Sequence, residues 1–269
     1  MELFDIGANL THESFAPDIG SVLAQAKAQG VTTMMVTGAC FDSNAQAAQL
    51  AERWPGLYST VGTHPHHAAD FDDATAEQIR SMYANDANVK AVGEAGLDYF
   101  RGISPRPDQW RCFEQQLEIA AELGAPLFMH CRDAHDDFVA AIRPFRDRIK
   151  HMVVHCFTGD KRALYECLDL DLHVGITGWI CDERRGHHLL SLVGDVPKGR
   201  LMIETDSPYL LPRDIRPKPK SRRNEPKYLA HIAAAIAQAR GESVEDLAQH
   251  TTDTARDFFQ ISPAADQLL

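Results

Sequence analysis

Residues 153–159 read Val-Val-His-Cys-Phe-Thr-Gly, a short apolar run that ends in His155-Cys156 and passes into a polar loop. Leu127-Phe128-Met129-His130-Cys131-Arg132-Asp133 has the same build one repeat earlier. Two more apolar runs end in carboxylates, Val89-Lys90-Ala91-Val92-Gly93-Glu94 and Leu201-Met202-Ile203-Glu204-Thr205-Asp206. Each has strand length and near-continuous apolar character, the mark of a strand buried on both faces.

Working outward, the same alternation covers the chain. Leu3 to Gly7, Val31 to Thr37, Leu57 to Gly62, Val89 to Glu94, Leu127 to His130, Met152 to His155, His173 to Thr177 and Leu201 to Glu204 read as eight strands. Amphipathic stretches separate them. The helix from Asp18 to Gln29 is closed by Gly30, the one from Asp42 to Arg53 by Pro55-Gly56, and the one from Asp108 to Leu123 by Gly124, all C-terminal stop signals. Further helices are expected near 75–83, 134–142, 160–168, 182–193, 226–240 and 243–259. Eight strand–helix units in a chain of 269 residues favour a closed parallel (β/α)₈ TIM barrel of the α/β class. The competing doubly wound sheet lacks its phosphate turn, because Gly7-Ala8-Asn9-Leu10 does not match GxGxxG. No stretch reads as a linker, so residues 1–269 are taken as a single barrel domain.

The composition, 44% apolar and 24% charged, is that of a soluble globular chain. The six cysteines show no CxxC and read as reduced thiols. The N-terminus has no basic and apolar leader, and no apolar run reaches the roughly 20 residues of a membrane helix. A cytoplasmic monomer is the expectation. A formal net charge of −11 argues against a nucleic-acid coat protein, though not against an enzyme that acts on nucleic acid through a local basic patch.

Glu94, His130 and His155 lie about one β/α unit apart in turn, and Asp206 about two units further on. They therefore fall at the ends of strands four, five, six and eight, which converge on one face of a barrel. Side-chain alternation puts Cys131 and Cys156 opposite the histidines, toward the helices. Glu204 and Asp206 share a parity; Asp206 lies nearer the mouth and is favoured. Two histidines and a carboxylate can hold a divalent cation that acidifies bound water, and a further carboxylate can take the proton. Any one of these histidines could be an ordinary hydrogen-bonded core residue. Four polar residues at four corresponding strand ends are harder to explain by packing.

Val61-Gly62-Thr63-His64-Pro65-His66, Gly93-Glu94-Ala95-Gly96-Leu97-Asp98, His130-Cys131-Arg132-Asp133-Ala134-His135, His155-Cys156-Phe157-Thr158-Gly159 and Glu204-Thr205-Asp206-Ser207-Pro208-Tyr209-Leu210 resemble the TatD family of metal-dependent deoxyribonucleases. The match runs in register along essentially the whole chain; Asp182-Glu183-Arg184-Arg185-Gly186 and Arg222-Arg223-Asn224-Glu225-Pro226 extend it. The resemblance implies a TIM barrel related to the amidohydrolases, Mg²⁺ as cofactor, and 3′-to-5′ exonuclease activity on single-stranded DNA and RNA, serving DNA repair or nucleic-acid degradation. It implies Glu94, His130 and His155 as metal ligands, with Asp206 as a further ligand or as the base. The wider family begins with Asp-x-His-x-His, whereas this chain has Asp5-Ile6-Gly7-Ala8-Asn9. Gly7 and Asn9 thus replace both histidines of the first metal position, leaving one position with a full ligand set.

His64, at the end of strand three, could touch a phosphate or the leaving oxygen; His66 and His67 read as loop residues. After Asp206 the chain is basic and proline-stiffened, with Arg213, Arg216, Lys218, Lys220, Arg222, Arg223 and Lys227. Such a loop can guide a phosphate backbone, with Arg222, Arg223 and Asn224 as substrate-binding candidates; it can equally be ordinary solvated surface. Tyr99-Phe100-Arg101 after strand four and Trp179 after strand seven could stack on unpaired bases or simply anchor their loops. Two rival functions are a small-molecule amidohydrolase and a non-catalytic binding member of the family. The basic loop speaks against the first, as does Glu94 where many such enzymes carry a carboxylated lysine.

Overall fold

The computed structural model describes residues 1–262, so the last seven residues of the expected domain lie outside the described residues. Eight parallel strands pair strictly in chain order. They are β1 (Leu3–Ala8), β2 (Val31–Val36), β3 (Leu57–Val61), β4 (Val89–Asp98), β5 (Leu127–Arg132), β6 (Met152–Val154), β7 (His173–Ile176) and β8 (Leu201–Ile203). A doubly wound sheet would reverse its strand order at a switch point, and none occurs among the described residues. The ring is closed just past β8, where Asp206 N donates to Gly7 O at 2.8 Å and Asn9 N donates to Ser207 O at 2.7 Å. This closure sets Asn9 of the first strand end beside Asp206 of the last.

The helices α1 (Ile19–Ala28), α2 (Phe41–Arg53), α3 (Asp73–Asn85), α4 (Arg106–Leu123), α5 (His135–Ile142), α6 (Lys161–Asp169), α7 (His187–Leu192) and α8 (Leu229–Arg240) follow the strands, and α9 (Val244–Phe259) ends the fold. Apolar side chains between strands and helices form the larger core. A second cluster fills the barrel itself: Phe4, Ile6, Met35, Ala91, Phe128, Val153 and Met202, capped from below by Phe258 and Phe259 of α9. The interior is therefore packed, and polar chemistry is confined to the mouth above Phe128.

Several element boundaries differ from the sequence reading, and two of the differences matter to the site. β4 runs on to Asp98 instead of stopping at Glu94, because β5 pairs with it through Asp98↔Arg132. The long β4–β5 contact requires Gly96: at its φ of +149° a Cβ would overlap the carbonyl of His130. β6 and β8 stop early, at Val154 and Ile203, so His155 and Asp206 sit on the first turns beyond the sheet.

The helix expected over 182–193 is interrupted. A 3₁₀ turn covers Gly178–Cys181, Asp182 then accepts from Arg184 N at 3.0 Å, and α7 starts only at His187. An Asp that bonds the backbone two residues on favours a turn over a continuing helix. The stretch expected as helix over 226–240 also opens as a 3₁₀ turn, Pro226–Tyr228, before α8.

Candidate metal centre

Four strand ends meet over Phe128, whose ring lies 4.6 Å from that of His155. The centre is one carboxylate oxygen. Glu94 Oε1 stands 2.6 Å from His155 Nε2, 3.1 Å from His130 Nδ1 and 3.4 Å from His64 Nε2. Ligand atoms of His64, Glu94 and His130 all lie within 4.8 Å of one another. The same mouth is lined by Asn9, Asp98, Cys156 and Asp206.

Each histidine is steered by a second partner or a turn. His155 is sandwiched: its Nδ1 lies 3.2 Å from Glu204 Oε2, opposite the Glu94 contact. Glu204 is fully buried and also accepts from Cys156 N. Its carboxylate occupies the space beside Gly7, where a Cβ would collide with Oε2. The missing first-strand side chain thus leaves room for the acid that holds His155. His64 sits at the start of a 3₁₀ turn and accepts from His66 N at 3.1 Å. His66 in turn places Nε2 2.8 Å from Asp98 Oδ2.

Asp206 adopts φ +53°. Asn9 Nδ2 donates to Asp206 Oδ1 at 2.9 Å, and Asn9 Oδ1 accepts from Thr37 Oγ1 at 2.6 Å. The threonine therefore fixes which way the amide faces. Loss of solvent pushes the Asp206 carboxyl up to about 7; Glu94 and Glu204 push the same way, against His155 and Asn9.

Opposing effects separate the other titratable groups. Burial acts to raise Glu94, but His155, His64 and the hydrogen bonds from His130 and His155 hold it well below the usual carboxylate range. Burial acts to lower His155, yet Glu94 and Glu204 hold it well above an ordinary imidazole. His130 is raised despite burial, by Asp98 and Glu94, whereas burial pushes His64 down to about 3.

The residues fit a divalent cation. His64, Glu94 and His130 bring ligand atoms together, His155 adjoins them through Glu94 Oε1, and buried His130 Nε2 has no hydrogen-bond partner among the described residues, standing 3.5 Å from Asp98. Such nitrogen-rich sets suit Mn²⁺ or Zn²⁺ at least as well as Mg²⁺, which favours oxygen.

The structure thus gathers Glu94, His130, His155, His64 and Asp206 at one mouth, and it revises several other readings. His66 is not a bystander of its loop, since it pairs with Asp98 inside the mouth. Asp98 joins the site because Glu94, Gly96 and Asp98 alternate along a single strand. Cys156 does not face the helices; beyond the end of β6 alternation no longer applies, and at φ +46° its thiol faces the mouth, 3.7 Å from Thr177 Oγ1. Cys131, by contrast, packs against the core outside the barrel.

The substrate-binding trio also divides. Arg223 bonds Ser14 O, both Asp18 carboxylate oxygens and Glu225, so its guanidinium is spent on holding the loop. Asn224 is buried, and its Nδ2 donates to Thr205 O at 2.9 Å. Neither reaches the mouth. Arg222 is exposed and lines a cleft with Arg184, Arg185, Arg213 and Lys218 that adjoins the mouth through Trp179 and Leu210.

Sequence comparison matches residues 4–260 to the family described as TatD related DNase. A Klebsiella pneumoniae (strain 342) protein named 3′-5′ ssDNA/RNA exonuclease TatD is 48% identical over 96% of this chain and 98% of its own length. A protein of the same name from Pectobacterium carotovorum subsp. carotovorum (strain PC1) is 49% identical over 97% of this chain and all of its own. Among solved structures, YjjV, a TatD homologue from Escherichia coli K12, superposes with a TM-score of 0.88 at 25% identity, covering 97% of this chain and 98% of its own. With its family match nearly end to end, the chain belongs to the TatD-related DNases.

Proposed function

We propose that this protein is a metal-dependent nuclease that removes nucleotides from the 3′ ends of single-stranded DNA and RNA. The observation that carries the reading is the convergence of three imidazoles on Glu94 Oε1 at a mouth flanked by an arginine-rich cleft. The names of the relatives at 48–49% identity supply the substrate and polarity.

In this reading Glu94, His130, His155 and His64 hold a divalent cation, which when bound lowers the pKa of attacking water and neutralises phosphate charge. Glu204 keeps a proton on His155 Nδ1, leaving Nε2 as the ligating end. Asp206, held by Asn9, orients the attacking water and takes its proton. Arg101, Arg132 and Arg185 line the mouth and offer guanidinium groups to the phosphates. Phe100, 60% exposed at the rim, offers a stacking face to an unpaired base. Resemblance points to Mg²⁺ as the ion, and the donor set makes Mn²⁺ the informative comparison. A cytoplasmic monomer with a part in DNA repair or nucleic-acid turnover belongs to the same proposal.

The test follows mononucleotides released from 3′- and 5′-labelled single strands, with Mg²⁺ or Mn²⁺, for the wild type and His130→Ala. The reading expects 3′-first release that a chelator abolishes and the variant loses by ~100-fold or more. Undiminished activity in His130→Ala, or release that survives chelation, would overturn it.

A further inference from the structure

We propose that Cys181, Asp214 and His231 form a second cation site, outside the barrel mouth, that takes a thiolate-preferring divalent ion of the Zn²⁺ class. The three residues come from distant parts of the chain. Cys181 ends the 3₁₀ turn Gly178–Cys181 after β7, Asp214 lies in the loop after β8, and His231 stands on α8. Their ligand atoms nevertheless lie within 4.8 Å of one another. His231 Nε2 is 2.7 Å from Asp214 Oδ1.

The donor set is what selects the ion. One sulfur, one imidazole nitrogen and one carboxylate oxygen suit zinc, whereas Mg²⁺ and Ca²⁺ seek oxygen. Three protein ligands leave a tetrahedral ion one place for water, and access exists because Asp214 is half exposed and His231 about a third. The nearby cations do not oppose binding. Arg213 turns its guanidinium to Glu183 and Asp182, and Arg216 bonds backbone carbonyls of the loop. Binding is balanced by one proton: the Cys181 S–H gives it to solvent as the sulfur–metal bond forms.

The site would fasten three neighbours of the mouth together. Cys181 follows Trp179, whose ring is flanked by Arg132 at 4.9 Å and Arg185 at 4.2 Å, and Asp214 sits on the basic loop that leads to Arg222. A bound ion would hold that loop against α8, and so brace the cleft wall beside the active mouth. The inference stands on these three side chains and does not depend on the nuclease reading.

Co²⁺ is the probe, added to the full-length chain. The wild type is expected to bind two ions, with a thiolate-to-cobalt charge-transfer band that Zn²⁺ bleaches and with one proton released per ion at this site. Glu94→Gln and Cys156→Ser, which alter the mouth, should keep the band. Cys181→Ser should abolish it. His231→Gln, a surface change that leaves the thiol in place, should weaken Zn²⁺ binding at least ~10-fold, since even loss of an outer partner has that effect. No band at cobalt concentrations that saturate the mouth, a band that persists in Cys181→Ser, or unaltered affinity in His231→Gln would overturn the proposal.

Discussion

Glu204 and His155 form a buried pair, with Glu204 Oε2 3.2 Å from His155 Nδ1, and the opposite ring nitrogen 2.6 Å from Glu94 Oε1. Glu204, which shares the parity of Asp206 but lies deeper in the barrel, thus stands behind a histidine. It sets the tautomer and raises the basicity of the end that faces the mouth. Replacing it by glutamine keeps the size and removes the charge. Glu204→Gln is expected to weaken divalent-ion affinity by about 10- to 100-fold, and excess metal should restore much of the rate. Titration calorimetry alongside rate measurements checks this; a fall in kcat that saturating metal leaves untouched would assign Glu204 a different role.

Asn9 links the first strand end to the last by donating to Asp206 and accepting from Thr37. A group that takes a proton loses that capacity as an amide, so Asp206→Asn should lower kcat by ~100-fold or more. Asn9→Ala keeps the carboxylate but frees it to rotate. That variant should lose less, about 10-fold, with KM little changed, because a misplaced base costs rate before it costs binding. Equal losses in the two variants would mean that Asn9 touches substrate or metal itself.

Glu94, His130 and His155 could be read from sequence because each ends an apolar run, and parallel strands of one barrel end on one face. The same logic reached its limit where strands end. β6 and β8 are three residues long, so His155, Cys156 and Asp206 are placed by turns with left-handed residues, which alternation cannot describe. Asp98 was hidden for the opposite reason: β4 continues through Gly96, a residue that ordinarily weakens a strand. His66 depends on Asp98 and was lost with it. Arg222, Arg223 and Asn224 look alike as a polar run, yet Arg223 is set by Asp18, 205 residues away, and Asn224 by Thr205, 19 residues back beyond a long loop. No local pattern carries such contacts.

Arg222 and Arg223 therefore give opposite expectations from adjacent positions. Arg223 sits between Asp18 and Glu225 with its side chain 20% exposed. Arg223→Ala should cost about 1–2 kcal/mol of stability, a partly screened charge-assisted network, and act on catalysis only through loop order. Arg222→Ala should leave the melting temperature unchanged, raise KM for single strands by a few-fold, and flatten the salt dependence. Melting curves together with KM at two salt concentrations check the pair. Reversed results would return Arg223 to the substrate path.

His173 provides a pH dependence that is independent of any metal. It is the buried first residue of β7, its ring 4.9 Å from Phe258, and its Nε2 lies 3.5 Å from Arg200 Nη1. Burial, and then Arg200, push its pKa from the ordinary 6.5 down to about 4. A depressed folded-state pKa means that the unfolded chain takes up the proton first. Stability is thus fully present above pH 6.5 and drains away as pH falls toward 4, by about 3 kcal/mol in all. His151, 6.3 Å away and also lowered by burial, adds to the same slope. His173→Leu removes this titration along with a ring nitrogen, Nδ1, that has no hydrogen-bond partner among the described residues. The variant should lose at most about 1–2 kcal/mol at pH 7. Between pH 6.5 and 4.5 its urea midpoint should fall less steeply than that of the wild type. Parallel pH profiles for the two proteins would show that His173 takes up its proton in the folded state as readily as in the unfolded chain, contrary to the packing described.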